Sequence, residues 1–352
     1  MMEENKKKRT ALEIIQSYDG PPLRIMEVCG THTHEIFRLG IRKILPENIE
    51  LISGPGCPVC VTPTGYIDEA IYLALEKKAV VCTFGDLIRV PGTSGSLADA
   101  RAKGARVRMV YTPLDAVSYA ADHKDEQVVF LAVGFETTTP AACLSVLKAQ
   151  ELGLDNFSIL TANKTMPNAY HALKGSADAF LYPGHVNAIT GEEGCRELAM
   201  QEGISGVIAG FTAKELLTAL AVVIEKSRSG EPYFVNCYPR VVRPEGNPEG
   251  LRIMDQVMEA CDSEWRGLGV IPMSGLKLRP AYAAYDARIK YQMPEIKGRS
   301  HPACRCGEVL QGKCKPSDCK VFGKGCTPQH PIGACMVSNE GACSAYYQYG
   351  GQ

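Results

Sequence analysis

Apolar residues along this chain fall into short continuous runs, separated by stretches in which they recur three and four positions apart. That is the alternation of buried strand and amphipathic helix. Strands are predicted at 24–28, 49–53, 79–84, 107–111 and 128–133, and helices from about Thr33 to Leu45 and at 66–78, 97–103, 114–123 and 140–152. After Gly153 the pattern resumes, with strands at 157–161, 179–182 and 206–211 and helices at 167–174, 192–202 and 214–228. Strand and helix in turn predict an α/β fold with parallel sheets. Dividing the chain at Gly153 gives an N-terminal extension over 1–23, one α/β unit over 24–152 and a second over 153–235. A faint echo links the two: Phe130-Leu-Ala-Val-Gly134-Phe135 and Val207-Ile-Ala-Gly210-Phe211 both end a strand in Gly-Phe. From about Phe234 prolines and glycines increase, with one helix predicted over 248–262. The end, from His301, has too little apolar periodicity for a core of its own, so the third unit, 236–352, is expected to draw its order from metal.

Charge narrows the function classes. The 38 basic and 39 acidic residues of the 352 give a formal charge of −1, which offers no basic surface for nucleic acid or an anionic membrane. The charged start, residues 1–10, leads into no apolar signal region, and no run of 18 apolar residues occurs, so a soluble cytoplasmic protein is expected. Fifteen cysteines, seven of them between Cys304 and Cys343, in a reducing compartment favour metal or thiol-redox duty over a disulfide framework.

Gly54-Pro-Gly-Cys57-Pro-Val-Cys60 is the most informative stretch. Its glycines and prolines specify an irregular turn from strand to helix, and two thiols at a helix N-terminus suit a redox couple or a soft-metal site. Half of a zinc site or inert packing are the plainer alternatives. Cys29-Gly-Thr-His32-Thr-His34-Glu35 repeats the arrangement, with Thr33 the expected N-cap. If both turns lie at the carboxyl ends of strands in one parallel sheet, Cys29, Cys57 and Cys60 can face one crevice. His32 and His34, two apart, point differently and suit proton handling better than shared chelation. Gly134-Phe-Glu136-Thr-Thr-Thr-Pro140 ends a strand and opens a helix with proline in its first turn, leaving Glu136 as acid/base or as ordering partner. Pro183-Gly-His185-Val-Asn187 is a similar loop, whose His185 is expected to order the interface between units. Near the end, four of the thiolates could enclose an iron-sulfur cluster or a zinc ion, and spacing alone does not choose. No phosphate-binding glycine loop is present.

Cys29-Gly-Thr-His-Thr-His34, Gly54-Pro-Gly-Cys-Pro-Val-Cys60, Gly134-Phe-Glu-Thr-Thr-Thr-Pro140 and a cysteine-rich end closing in Gly333-Ala-Cys-Met-Val-Ser and Gly341-Ala-Cys343 together closely resemble the HypD family of nickel-iron hydrogenase maturation proteins. The resemblance runs over nearly the whole chain. It implies a scaffold on which an iron carrying two cyanides and one carbon monoxide is assembled, in stable complex with HypC, with cyanide delivered by HypE from its HypF-dependent supply. It also implies a 4Fe-4S cluster in the pattern C-x14-C-x6-C-x16-C, matched by Cys304, Cys319, Cys326 and Cys343. A thiol pair beside the cluster, similar to that of ferredoxin:thioredoxin reductase, matches Cys306 and Cys335. The family's essential upstream cysteines match Cys29, Cys57 and Cys60. On that footing Cys29 would hold the iron, Cys57 and Cys60 would cycle between dithiol and disulfide, and His32, His34 and Glu136 would handle protons or bound cyanide. Cys314, Cys82, Cys143, Cys195, Cys237 and Cys261 fall outside these sets and are expected to be packing residues. A free-standing thiol-disulfide oxidoreductase and a zinc-stabilised binding module are the rival classes.

Overall fold

The computed structural model describes residues 9–350. Its strands are β1 (Leu23–Glu27), β2 (Ile49–Ser53), β3 (Val80–Thr83), β4 (Val107–Met109), β5 (Val128–Gly134), β6 (Phe157–Asn163), β7 (Ala179–Pro183), β8 (Gly206–Ala209), β9 (Phe234–Asn236), β10 (Met258–Trp265) and β11 (Gly269–Leu278). One sheet has the order β2-β1-β7-β8-β9 and another β4-β3-β5-β6, parallel throughout, as a chain returning through helices requires. The expected α/β fold with parallel sheets is therefore present, and every predicted strand forms, with ends shifted by no more than two residues.

The sheets do not divide at Gly153. β1 and β2 join β7, β8 and β9, whereas β6, beyond Gly153, completes the sheet begun by β3. Neighbours in a parallel sheet are chosen by the faces they bury, which the order of elements along the chain does not disclose. Residues 1–8 of the expected N-terminal extension lie outside the described residues. Within the remainder, Thr10 caps the helix Ala11–Gln16 reciprocally with Glu13, and Ile15 packs with Leu216 and Leu220 in the core of the first sheet.

Two expectations for helices change. The helix after Cys29 spans only Gly30–Arg38, capped by Cys29 and not Thr33. Gly40, at φ 66°, then turns the chain into the 3-10 turn Ile41–Ile44. Likewise the helix expected over 248–262 stops at Val257. Glu259 to Trp265 alternate between buried or half-buried and exposed positions, the period of a strand, and Met258 to Trp265 form an antiparallel hairpin with β11. That hairpin lies against the second sheet, where Thr165 N–H donates to Ser274 O at 2.9 Å.

The cysteine-rich C-terminal region has little core of its own. Its apolar residues complete the others: Leu310 and Cys335 join the core of the first sheet, Ala334 and Val337 that of the second. Its last helix, Ala342–Tyr349, covers the helix Gly30–Arg38, with the Phe37 and Tyr346 rings 4.5 Å apart edge to face. Among the described residues no helix is long and apolar enough to cross a membrane.

Candidate functional site

β1 and β2 lie side by side with Glu27 opposite Ser53, so the turns leaving them emerge at one edge of the sheet. Gly30 N–H donates to Gly56 O at 3.0 Å. A Cβ on Gly56 would fall 2.2 Å from both Cα and N of Cys29, so only glycine lets the two turns cross. Cys57 caps the single-turn helix Pro58–Val61 and bonds Cys60 as a disulfide, with Cα atoms 5.2 Å apart and Cys60 N–H donating to Cys57 Sγ at 3.2 Å. Beneath both turns Glu27 is fully buried, paired with Arg42 and accepting from Thr33 Oγ1 at 2.8 Å and Ser53 Oγ at 3.1 Å. Its role is to pin the start of the Gly30–Arg38 helix and the end of β2 to one carboxylate.

Cys29 is 1% exposed, and burial pushes its thiol up to about 12. Its Sγ stands 3.9 Å from Nδ1 of His185, which opens from the end of β7, the strand beside β1. His185 is expected at an interface; the structure sets it against the buried thiol of Cys29. Its position at a strand end was legible, but that β7 neighbours β1 was not. His185 and His32 are both pushed down to about 4 by burial, and Phe211 stands by both rings at 5.3 and 4.8 Å. His32 Nε2 donates to the carbonyls of Gly210 at 3.0 Å and Ala209 at 3.2 Å, which fixes its tautomer and leaves Nδ1 unprotonated and unpartnered. His34 points elsewhere, edge-on to Tyr349 at 5.4 Å.

Glu136 follows β5 and is 2% exposed; Oε1 accepts from Met166 N–H at 2.8 Å while Oε2 is unpartnered. Burial pushes its carboxyl up to about 7. Tyr170, from the helix Pro167–Ala172, has a buried hydroxyl with no partner, and burial raises it well above its ordinary value. Asn187 Nδ2 donates to Cys195 Sγ at 3.2 Å, leaving Asn187 Oδ1 without a partner. Tyr170 and Asn187 carried no sequence signal: one sits in an ordinary helical pattern, the other in a loop read for its histidine.

The C-terminal cysteines form a second, adjoining group. Cys304, Cys319, Cys326 and Cys343 line one cavity together with Cys306, Cys335 and the apolar side chains of Val309, Val321, Phe322 and Met336. Cys306 and Cys335 are paired as a disulfide, with Cα atoms 6.5 Å apart. Burial raises Cys304 and Cys343, and the neighbouring thiols raise them further, because four thiolates in an apolar cavity repel unless cations sit among them. Among the described residues no three Cys, His, Asp or Glu side chains converge on a single ion. Four thiols surrounding a cavity are the donor set of a four-iron cluster, in which each iron takes one thiolate. The residues present therefore fit a 4Fe-4S group. Cys314 lies outside this cavity, in a cleft with Glu50 and Lys315.

The two groups share one core: Cys57, Cys60, Cys306, Cys335 and Trp265 are buried together, with Cys304 and Cys343 packed against them. Residues 5–350 match the family described as "HypD: Hydrogenase formation hypA family". The chain belongs to the HypD family. It is 44% identical over 340 residues to the hydrogenase maturation factor HypD of Azotobacter vinelandii, covering 94% of this chain and 90% of that one. It is 45% identical over 339 residues to HypD of Rhodobacter capsulatus, with the same coverage, and 44% identical over 333 residues to HypD of Escherichia coli strain K12, covering 93% and 89%. The HypD match takes in both groups of cysteines and the strand ends that carry them.

Proposed function

We propose that this chain serves nickel-iron hydrogenase maturation in the cytoplasm as a scaffold and redox component. In stable complex with HypC, it would carry the iron centre while two cyanides, brought by HypE from its HypF-dependent supply, and one carbon monoxide are added. The observation that carries this reading is the meeting of Cys29, His185 and the Cys57–Cys60 pair at neighbouring strand ends, in a core shared with Cys306–Cys335.

Cys29 and a cysteine of HypC would hold the iron being built, since soft thiolates suit low-valent iron with strong-field ligands. A thiol pushed up to about 12 keeps its proton until a cation displaces it, and His185, neutral through burial and 3.9 Å away, is placed to relay that proton on towards solvent without holding it. Cyanide nitrogen accepts hydrogen bonds. Tyr170 O–H and the protonated form of Glu136 are buried donors without partners, and His32 and His34 stand among the remaining proton carriers. Opening the Cys57–Cys60 disulfide takes two electrons and two protons, which the dithiol form of Cys306 and Cys335, buried in the same core, would supply by exchange while itself becoming the disulfide. A 4Fe-4S cluster held by Cys304, Cys319, Cys326 and Cys343 would supply single electrons beside that pair. A free-standing thiol-disulfide oxidoreductase would account for both pairs, but it leaves Cys29 and His185 without a task.

Expression in a hydrogenase-producing strain that lacks its own HypD tests the proposal. The chain should restore hydrogenase activity and the Cys29→Ala variant, at equal abundance, should not. Equal restoration by both would refute it.

A further inference from the structure

The turn between β10 and β11 touches both redox groups. Arg266 N–H donates to Val61 O at 2.8 Å and Arg266 Nε to Thr62 O at 2.7 Å, so the turn holds the end of the helix that carries Cys60. On its other side Gly267 meets Gly307, the neighbour of Cys306, so closely that a Cβ on Gly267 would fall 2.2 Å from Gly307 Cα. Gln311 Nε2 fastens the contact by donating to Gly267 O at 2.7 Å. Trp265, fully buried in the core that contains both disulfides, anchors the turn by stacking on Phe135 at 5.8 Å and donating from Nε1 to Ser274 Oγ at 2.7 Å. The turn is a strut between the Cys57–Cys60 helix and the Cys304–Cys306 segment.

Arg266 brings a charge to that place. It is 7% exposed, and its Nη2 is buried with no partner. Among the described residues no carboxylate forms an ion pair with it, and its turn packs against Gly307, the neighbour of Cys306. A buried cation costs free energy unless an anion answers it, and a buried N–H donor without an acceptor costs more. An anionic cluster in the neighbouring four-cysteine cavity would answer the charge.

We propose that Arg266 is a positioning residue for electron delivery, tying the Cys57–Cys60 helix to the segment that lines the cluster cavity and using its buried charge to set the potential of the cluster. The inference rests on reading the four-cysteine cavity as a 4Fe-4S site. Reduction adds one negative charge to a cluster, and a fixed positive charge in a poorly solvated cavity stabilises that state, so Arg266 raises the reduction potential.

The test compares full-length wild type with Arg266→Gln, Arg266→Met and Arg266→Lys after anaerobic reconstitution with iron and sulfide, each titrated with reductant and followed by visible absorbance. The neutral variants should titrate at a more negative potential and the lysine variant near wild type. Equal potentials in all four proteins overturn the inference, as does loss of the cluster from all three variants, which would make Arg266 a structural strut alone. Loss from both neutral variants with retention in the lysine variant supports it, since charge is then what separates them. A wild-type protein that takes up no cluster would refute the cofactor reading itself, before any variant is compared.

Discussion

Glu136→Gln tests whether the buried carboxyl of the crevice is held largely protonated near neutral pH. Its ordinary value is 4.5 and burial pushes it up to about 7, with one hydrogen bond, from Met166 N–H, working against the shift. Because the folded value lies above the unfolded one, folding takes up a proton between the two. The stability this contributes is complete below pH 4.5 and is lost as the pH rises through 7. Linkage over that interval gives about 3 kcal/mol, of which about 2 has gone by pH 6. Glutamine keeps an acceptor for Met166 and cannot ionise. Wild type should therefore lose about 3 kcal/mol relative to the variant between pH 4 and 8. Trp265, the only tryptophan, stacks on Phe135 beside Glu136, so urea unfolding followed by its fluorescence reads this region directly. Titration of His32 and His185 occurs in both proteins and cancels in the difference. A difference flat with pH to within about 1 kcal/mol would refute the reasoning.

Other consequences concern packing and ligands. Gly56→Ala drives a methyl into the Cys29 backbone and should cost at least about 1–3 kcal/mol, seen as a lower melting temperature; an unchanged melt would contradict the crossing of the two turns. Arg42→Met leaves Glu27 charged and fully buried and should cost about 3–5 kcal/mol. The double variant with Glu27→Gln should recover part of that loss in urea, and a double variant no more stable than the single one would deny the pairing. Cys319→Ala should abolish the visible absorbance of reconstituted protein while Cys314→Ala keeps it; the opposite pattern would reassign the ligands.

The strands were legible because each is a short apolar run bounded by glycine, proline or a helix cap, and β2 begins and ends where its pattern does. The hairpin was not. Met258-Glu-Ala-Cys-Asp-Ser-Glu-Trp265 carries no β-branched residue and directly continues a helix, so its period of two shows only once β11 lies beside it. The thiols were the readable part of the site, since glycine- and proline-bound cysteines in a strand-to-helix turn have little other reason to occur together. His185, Tyr170 and Arg266 were not readable as partners of those thiols. Each reaches the site through a strand pairing or loop contact between residues far apart in the chain, and no local pattern encodes that. Asp68 and Glu69, on the helix Thr64–Leu75, likewise serve partners far along the chain: Asp68 accepts from Thr93, and Glu69 pairs with Arg288.

The central claim is that Cys29 holds an iron carrying cyanide and carbon monoxide. An anaerobic infrared spectrum of this chain, copurified with HypC from cells expressing the other maturation proteins, tests it most directly. Bands of metal-bound cyanide and carbonyl should be present in the wild-type complex and absent from the Cys29→Ala complex. Bands of equal strength in both, or none in an intact wild-type complex, would contradict it.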